Sequence, residues 1–141
     1  MIGIAASPTG ESAGDVAPVA TVEIGLGFTN GRHGAVEAVL VTVKNFTPYD
    51  LYLSTVAASL SEGGSAFFTH DVFQRALHRQ RVAGRDSHSY MLDPQFFWSL
   101  HNDHDVRAVL VRDALGFEYT APADQVESVV RRLAAKYEPP E

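Results

Sequence analysis

The sequence predicts a mainly β protein: an antiparallel β-sandwich carrying a C-terminal α-helix and preceded by an extended N-terminal arm. Three observations predict it. Apolar and polar residues alternate through several short runs that are separated by Gly, Pro, Asn and Asp. After Pro122 the apolar period changes from two to that of a helix. Residues 1–18, MIGIAASPTGESAGDVAP, contain almost no core-forming side chains. A chain of 141 residues has room for one continuous core. The expected divisions are an arm over 1–18, a sandwich over 19–121, and a helix and tail over 122–141.

In the first strand Val22, Ile24, Leu26 and Phe28 alternate with Glu23, Gly25 and Gly27, which gives one buried face. Thr29-Asn30-Gly31 reads as a turn, with Arg32-His33-Gly34 extending it. Val39, Val41 and Val43 are the inward set of a second strand ending near Asn45. In NFTPYD, Pro48 breaks the ladder. Leu51 and Leu53 then share one parity, whereas Val56, Ala58 and Leu60 share the other, so a β-bulge is expected near Ser54-Thr55. Ser61 to Gly64 is a loop, AFFTHDVF a short strand or turn, and QRALHRQRVAGRD either a helical turn or a long connection. Ser87 to Leu92 reads as a strand. Val106 to Val111 and Phe117 to Tyr119 form a hairpin around Asp113-Ala114-Leu115-Gly116. Val126, Val129, Val130, Leu133 and Tyr137 recur at helical spacing, Asp124 and Glu127 suit the positive end of that helix, and Glu138-Pro139-Pro140 stops it.

Composition narrows the function. The formal net charge of −6 argues against a nucleic-acid binder, which needs a basic face to displace counterions. A local patch of Arg75, Arg79, Arg81 and Arg85 is the one departure from that balance. Without cysteine there is no disulfide framework, thiolate nucleophile or Cys-based zinc site. No run approaches the roughly 20 apolar residues of a membrane span, and the start of the chain lacks the features of a signal peptide. A soluble protein with no cofactor and no membrane partner is expected.

The order of these segments, VTVKNFTPYDLYLSTVAAS, RDSHSYML and VRAVLVRDALGFEYTAP followed by a short helix, resembles small immunoglobulin-like sandwich proteins of bacteria and their phages. The residues that carry the resemblance are Val41, Val43 and Asn45, where a Val-rich strand ends before a polar turn. To these are added Val111, Arg112, Asp113 and Gly116, where a late strand ends ahead of a Gly-containing hairpin. The resemblance covers roughly residues 20–122. It implies an immunoglobulin-like fold and a role in a virion or at a surface, where such domains decorate phage heads and tails. The antibody cysteines are absent.

Few residues suggest chemistry. HNDHD, residues 101–105, reads as a polar turn between an aromatic run and a strand. The alternative is a divalent-metal site using His101, His104 and Asp105. Asp86, Ser87 and His88 cannot act as a relay, because neighbours on a strand face opposite ways. Gly25 and Gly27 lie within a strand rather than before a helix, so they do not form a phosphate loop; another backbone could approach closely there. Phe67, Phe68, Phe73, Phe96, Phe97 and Trp98 are core or interface residues, and adjacent phenylalanines on a strand cannot both face inward.

The function expected is therefore non-enzymatic. The chain would bind neighbouring protein subunits of a capsid or tail, or further copies of itself, as a virion component. The expected contacts are Ile2, Ile4 and Val16 of the arm, Gly25, Gly27 and Phe97. A cytosolic bacterial adaptor, or a ligand- or metal-binding module using the 101–105 segment, is the alternative.

Overall fold

The computed structural model describes residues 19–137. The arm residues Ile2, Ile4 and Val16, and the Glu138-Pro139-Pro140 stop, lie outside that range. Eight strands and two helices follow in order: β1 (Ala20–Gly31), β2 (Gly34–Asn45), β3 (Leu51–Leu60), β4 (Ser65–Phe68), β5 (Gln80–Val82), β6 (Ser87–Leu92), α1 (Pro94–His104), β7 (Val106–Asp113), β8 (Glu118–Thr120) and α2 (Ala123–Tyr137). All pairings between them are antiparallel. One sheet has the order β1-β2-β6; the other has the order β4-β3-β7-β8, with β5 also on β3.

The alternation read in the sequence builds one core between the sheets. Val39, Val41 and Val43 of β2 are completely buried, as are Val109 and Val111 of β7. Val22, Ile24, Leu53, Val56, Ala58, Tyr90 and Leu92 complete the same cluster. The expected bulge is present: Leu53 pairs with Asp113 and Thr55 with Arg112, which leaves Ser54 as the extra residue. Its hydroxyl donates to the Arg112 and Asp113 carbonyls. The extra residue reverses the parity, so that Leu53 and Val56 both face inward.

The structure corrects the sequence reading in three places. Thr29, Asn30 and Gly31 continue β1, and only Arg32 and His33 turn before Gly34, at φ +120°. Because β6 pairs only with Val39–Lys44 of β2, the far half of the β1–β2 hairpin runs past its neighbour. Phe28, expected on the buried face, is 72% exposed there. The third difference is α1, a helix over residues read as an aromatic run followed by a polar turn. Asp93 caps it by accepting from Gln95 N, and Pro94 occupies its first turn. A helix separates neighbours by 100° rather than 180°, so Phe97 is fully buried while Phe96 is half-exposed.

Helix α2 behaves as its spacing predicts. Val126, Val129 and Leu133 are buried and Val130 and Tyr137 pack beside them. Asp124 lies in the first turn and Lys136 in the last, where Lys136 reaches Glu37 at 2.7 Å. The Gln125 side chain accepts from Ile24 N at 2.9 Å. That bond satisfies a backbone donor on the outer edge of β1 and ties the helix to the sheet.

Candidate interaction surface

Among the described residues three polar or charged side chains are buried, and each organises a loop. Asn45 donates to the Tyr49, Val82 and Ala83 carbonyls and accepts from the Thr47 amide and hydroxyl. Asp71 accepts from Phe73 N, Arg75 N and Arg75 Nε. Burial works to raise the Asp71 pKa, but the backbone donors at Arg75 and Phe73 and the Arg75 guanidinium outweigh it and hold the group below its ordinary value. Asp113 accepts from Leu115 N, Phe117 N and the Tyr119 hydroxyl, closing the hairpin whose Gly116 sits at φ +96°. Burial, together with that bond, raises the Tyr119 pKa. Asn45 and Asp113 are two of the residues that carry the family resemblance, and the structure gives both a structural duty.

The 101–105 segment is the end of α1, not a free turn. His101 Nδ1 accepts from Val106 N at 3.1 Å, which leaves Nε2 to carry the ring proton in that geometry. Asp105 caps the helix at φ 59°, its amide donating to the His101 carbonyl at 2.7 Å. His104 Nδ1 instead meets Glu62 at 3.0 Å across the β3–β4 loop. The two imidazoles are thus engaged with different partners, and among the described residues no three His, Asp or Glu side chains converge as metal ligands. Asp86 and Ser87 sit at the surface, with Ser87 N donating to Asp86 Oδ1. His88 points inward against Tyr90, ring centres 4.7 Å apart. Burial lowers the His88 pKa and pushes the Tyr90 hydroxyl up to about 12.

Of the expected contact residues, Phe97 is the one the structure removes. It lies in the core, stacked on Phe68 at 6.0 Å, and presents nothing to a partner. At Gly25 a Cβ would meet nothing within 4 Å, so among the described residues no second backbone approaches it. At Gly27 it would meet the Leu40 side chain rather than a main chain. The close approach occurs elsewhere: a Cβ on Gly84 would fall on the Pro48 carbonyl.

The exposed apolar surface comes mostly from residues that sequence periodicity did not single out. Leu115 is 83% exposed, Tyr49 76% and Phe28 72%, while Tyr52, Phe67, Phe96 and Phe46 are about half-exposed. Tyr49 and Tyr52 follow the loop held by Asn45, where two aromatics in a turn-rich stretch are the available signal. Nearby, Lys44, Asn45, Phe46, Arg85, Asp86 and Ser87 line an open cleft of about 250 Å³. Among the described residues no helix is long and apolar enough to cross a membrane. No family model, characterised protein or solved structure matches the chain.

Proposed function

We propose that this chain is an immunoglobulin-like sandwich that works by binding protein subunits, as a virion component of the head-decoration or tail-accessory type. In this reading β1, β2 and β6 take the places of strands A, B and E, and β3, β7 and β8 those of C, F and G. The observation that carries the binding role is the set of large side chains held outside the core. Phe28, Tyr49 and Leu115 are each more than two-thirds exposed, Phe28 on the far half of the β1–β2 hairpin, Tyr49 on the loop held by Asn45 and Leu115 on the turn held by Asp113. Aromatic side chains at such positions anchor interfaces, because a rigid ring buries much area at little entropic cost.

Gradient sedimentation of the native chain from the cells that make it tests the reading. The chain is expected to travel with a particle or assembly far larger than its own 15.3 kDa. A chain found only as a free species of that mass would overturn it.

A further inference from the structure

We propose that β5 and the cleft beside it bind an extended acidic segment of the partner protein, an inference that rests on the subunit-binding reading above. Residues 72–85 contain Arg75, Arg79, Arg81 and Arg85 and no Asp or Glu, in a chain whose net charge is −6. These arginines do not all serve the fold. Arg75 is committed to Asp71 at 2.9 Å and stacks on Phe73, and Arg81 reaches Asp50 at 3.0 Å. Arg79 and Arg85 are exposed and make no ion pair among the described residues.

The backbone supplies the second half of the site. Among the described residues, strand β5 pairs with β3 on one side and with no strand on the other. Such an edge receives a partner chain through main-chain hydrogen bonds, while flanking side chains select its sequence. Here Tyr52 stands directly across from Arg81 in the register, half-exposed on the same face. Beyond the strand, the cleft is lined by Lys44, Phe46 and Arg85, with Asp86 the one carboxylate among its lining residues, its Oδ1 accepting from Ser87 N at 2.8 Å. Among the described residues Lys44 pairs with Glu23, at 3.4 Å. The lack of a side chain at Gly84 lets this loop lie against Pro48, and Arg85 N donates to the Thr47 carbonyl at 2.9 Å, so Arg85 projects from a fixed base. An incoming strand whose backbone meets the edge brings its carboxylates to Arg79 and Arg85, the two arginines of the segment that make no ion pair among the described residues. A nucleic acid is disfavoured, because four arginines within residues 72–85, two of them paired with Asp71 and Asp50, give an acidic protein little of the broad basic face that a phosphate backbone needs.

The test is fluorescence anisotropy of the full chain with three labelled probes: a peptide alternating glutamate and valine, the same peptide with glutamine for glutamate, and oligothymidylate. The acidic peptide is expected to bind, weakening with added salt, and to lose about tenfold in affinity to the Arg79→Glu, Arg85→Glu double variant. Both positions are exposed and unpaired, so that variant should keep the parent melting temperature; Arg79→Gln, Arg85→Gln provides a second, milder form. Equal binding of the glutamine peptide, no loss in either variant, or preference for oligothymidylate would each overturn the proposal. Co-sedimentation with an assembly but no peptide binding removes the acidic-segment inference alone. Peptide binding by a chain that never enters an assembly removes the subunit-binding reading instead.

Discussion

Replacing Asp113 by Ala should be among the most damaging single changes outside the apolar core. Its carboxylate is buried and accepts from two backbone amides and one phenol, each at 2.9 Å. A hydrogen bond to a charged acceptor contributes about 1.5–3 kcal/mol net, and a donor left buried without a partner costs more. The three are not additive, and Leu115 N lies in an exposed turn where water can replace the carboxylate. The expected loss is therefore about 2–4 kcal/mol, a fall in melting temperature of roughly 10 °C for a domain of this size. Asp113→Asn keeps an acceptor for the two amides and should cost about 1 kcal/mol. A denaturant-unfolding series should also include Tyr119→Phe and the double variant. The pair should show a coupling of about 1 kcal/mol, because the phenol and the carboxylate satisfy one another. In the Asn variant Tyr119 should titrate closer to an ordinary tyrosine, since the Asp113 bond helps to raise it. An Ala variant within about 0.5 kcal/mol of the parent would refute the reasoning, because surface changes far from such features have effects of that size.

Acid should weaken the loop after β4. The folded pKa of Asp71 lies below its unfolded value of 3.8, so its contribution is fully present above that value and is lost as pH falls through the folded pKa. Urea unfolding of Asp71→Asn and parent should differ most near neutrality and converge as pH falls through the folded pKa of Asp71; a constant difference would contradict this. His88 has a depressed folded pKa, so protonation on the unfolded side costs stability as pH drops below 6.5. His88→Gln should flatten the stability profile between pH 6.5 and the folded pKa, read from thermal melts. The glycines should divide sharply. Gly84→Ala forces backbone from backbone and should cost about 1–3 kcal/mol, whereas Gly25→Ala meets open space in a strand and should be neutral or stabilising by about 0.5 kcal/mol. Leu133→Ala, emptying a fully buried site in α2, should cost about 2–5 kcal/mol.

The strands were legible because period two is a strong signal where one face is buried. β2, β6 and the bulge in β3 appear where the alternation and its parity change place them. Helix α2 was legible for the same reason at period 3.6. Helix α1 was not, because its buried residues are too few to set a period: Pro94 and Phe97 alone are buried over Pro94–His104. The better cue was local, Asp93 before Pro94, a cap followed by a first-turn proline. Phe28 shows the limit of pattern reading. It keeps the parity of Val22 and Ile24, yet its exposure depends on where β6 stops, a tertiary fact that no local period encodes. The candidate surface was legible only in part. The arginine cluster stands out by charge alone, but its separation into the committed Arg75 and Arg81 and, among the described residues, the unpaired Arg79 and Arg85 depends on which carboxylates the fold brings near.

Photo-crosslinking in the cells that make the chain would test the binding role most directly. A photoreactive phenylalanine would replace Phe28, Tyr49, Phe67 or Leu115 in turn, with Ser89, on the polar outer face of the β1-β2-β6 sheet, as the control. The account predicts discrete protein adducts from at least one of the exposed apolar positions and none from Ser89. Adducts absent from all four, or equally abundant at Ser89, would contradict it.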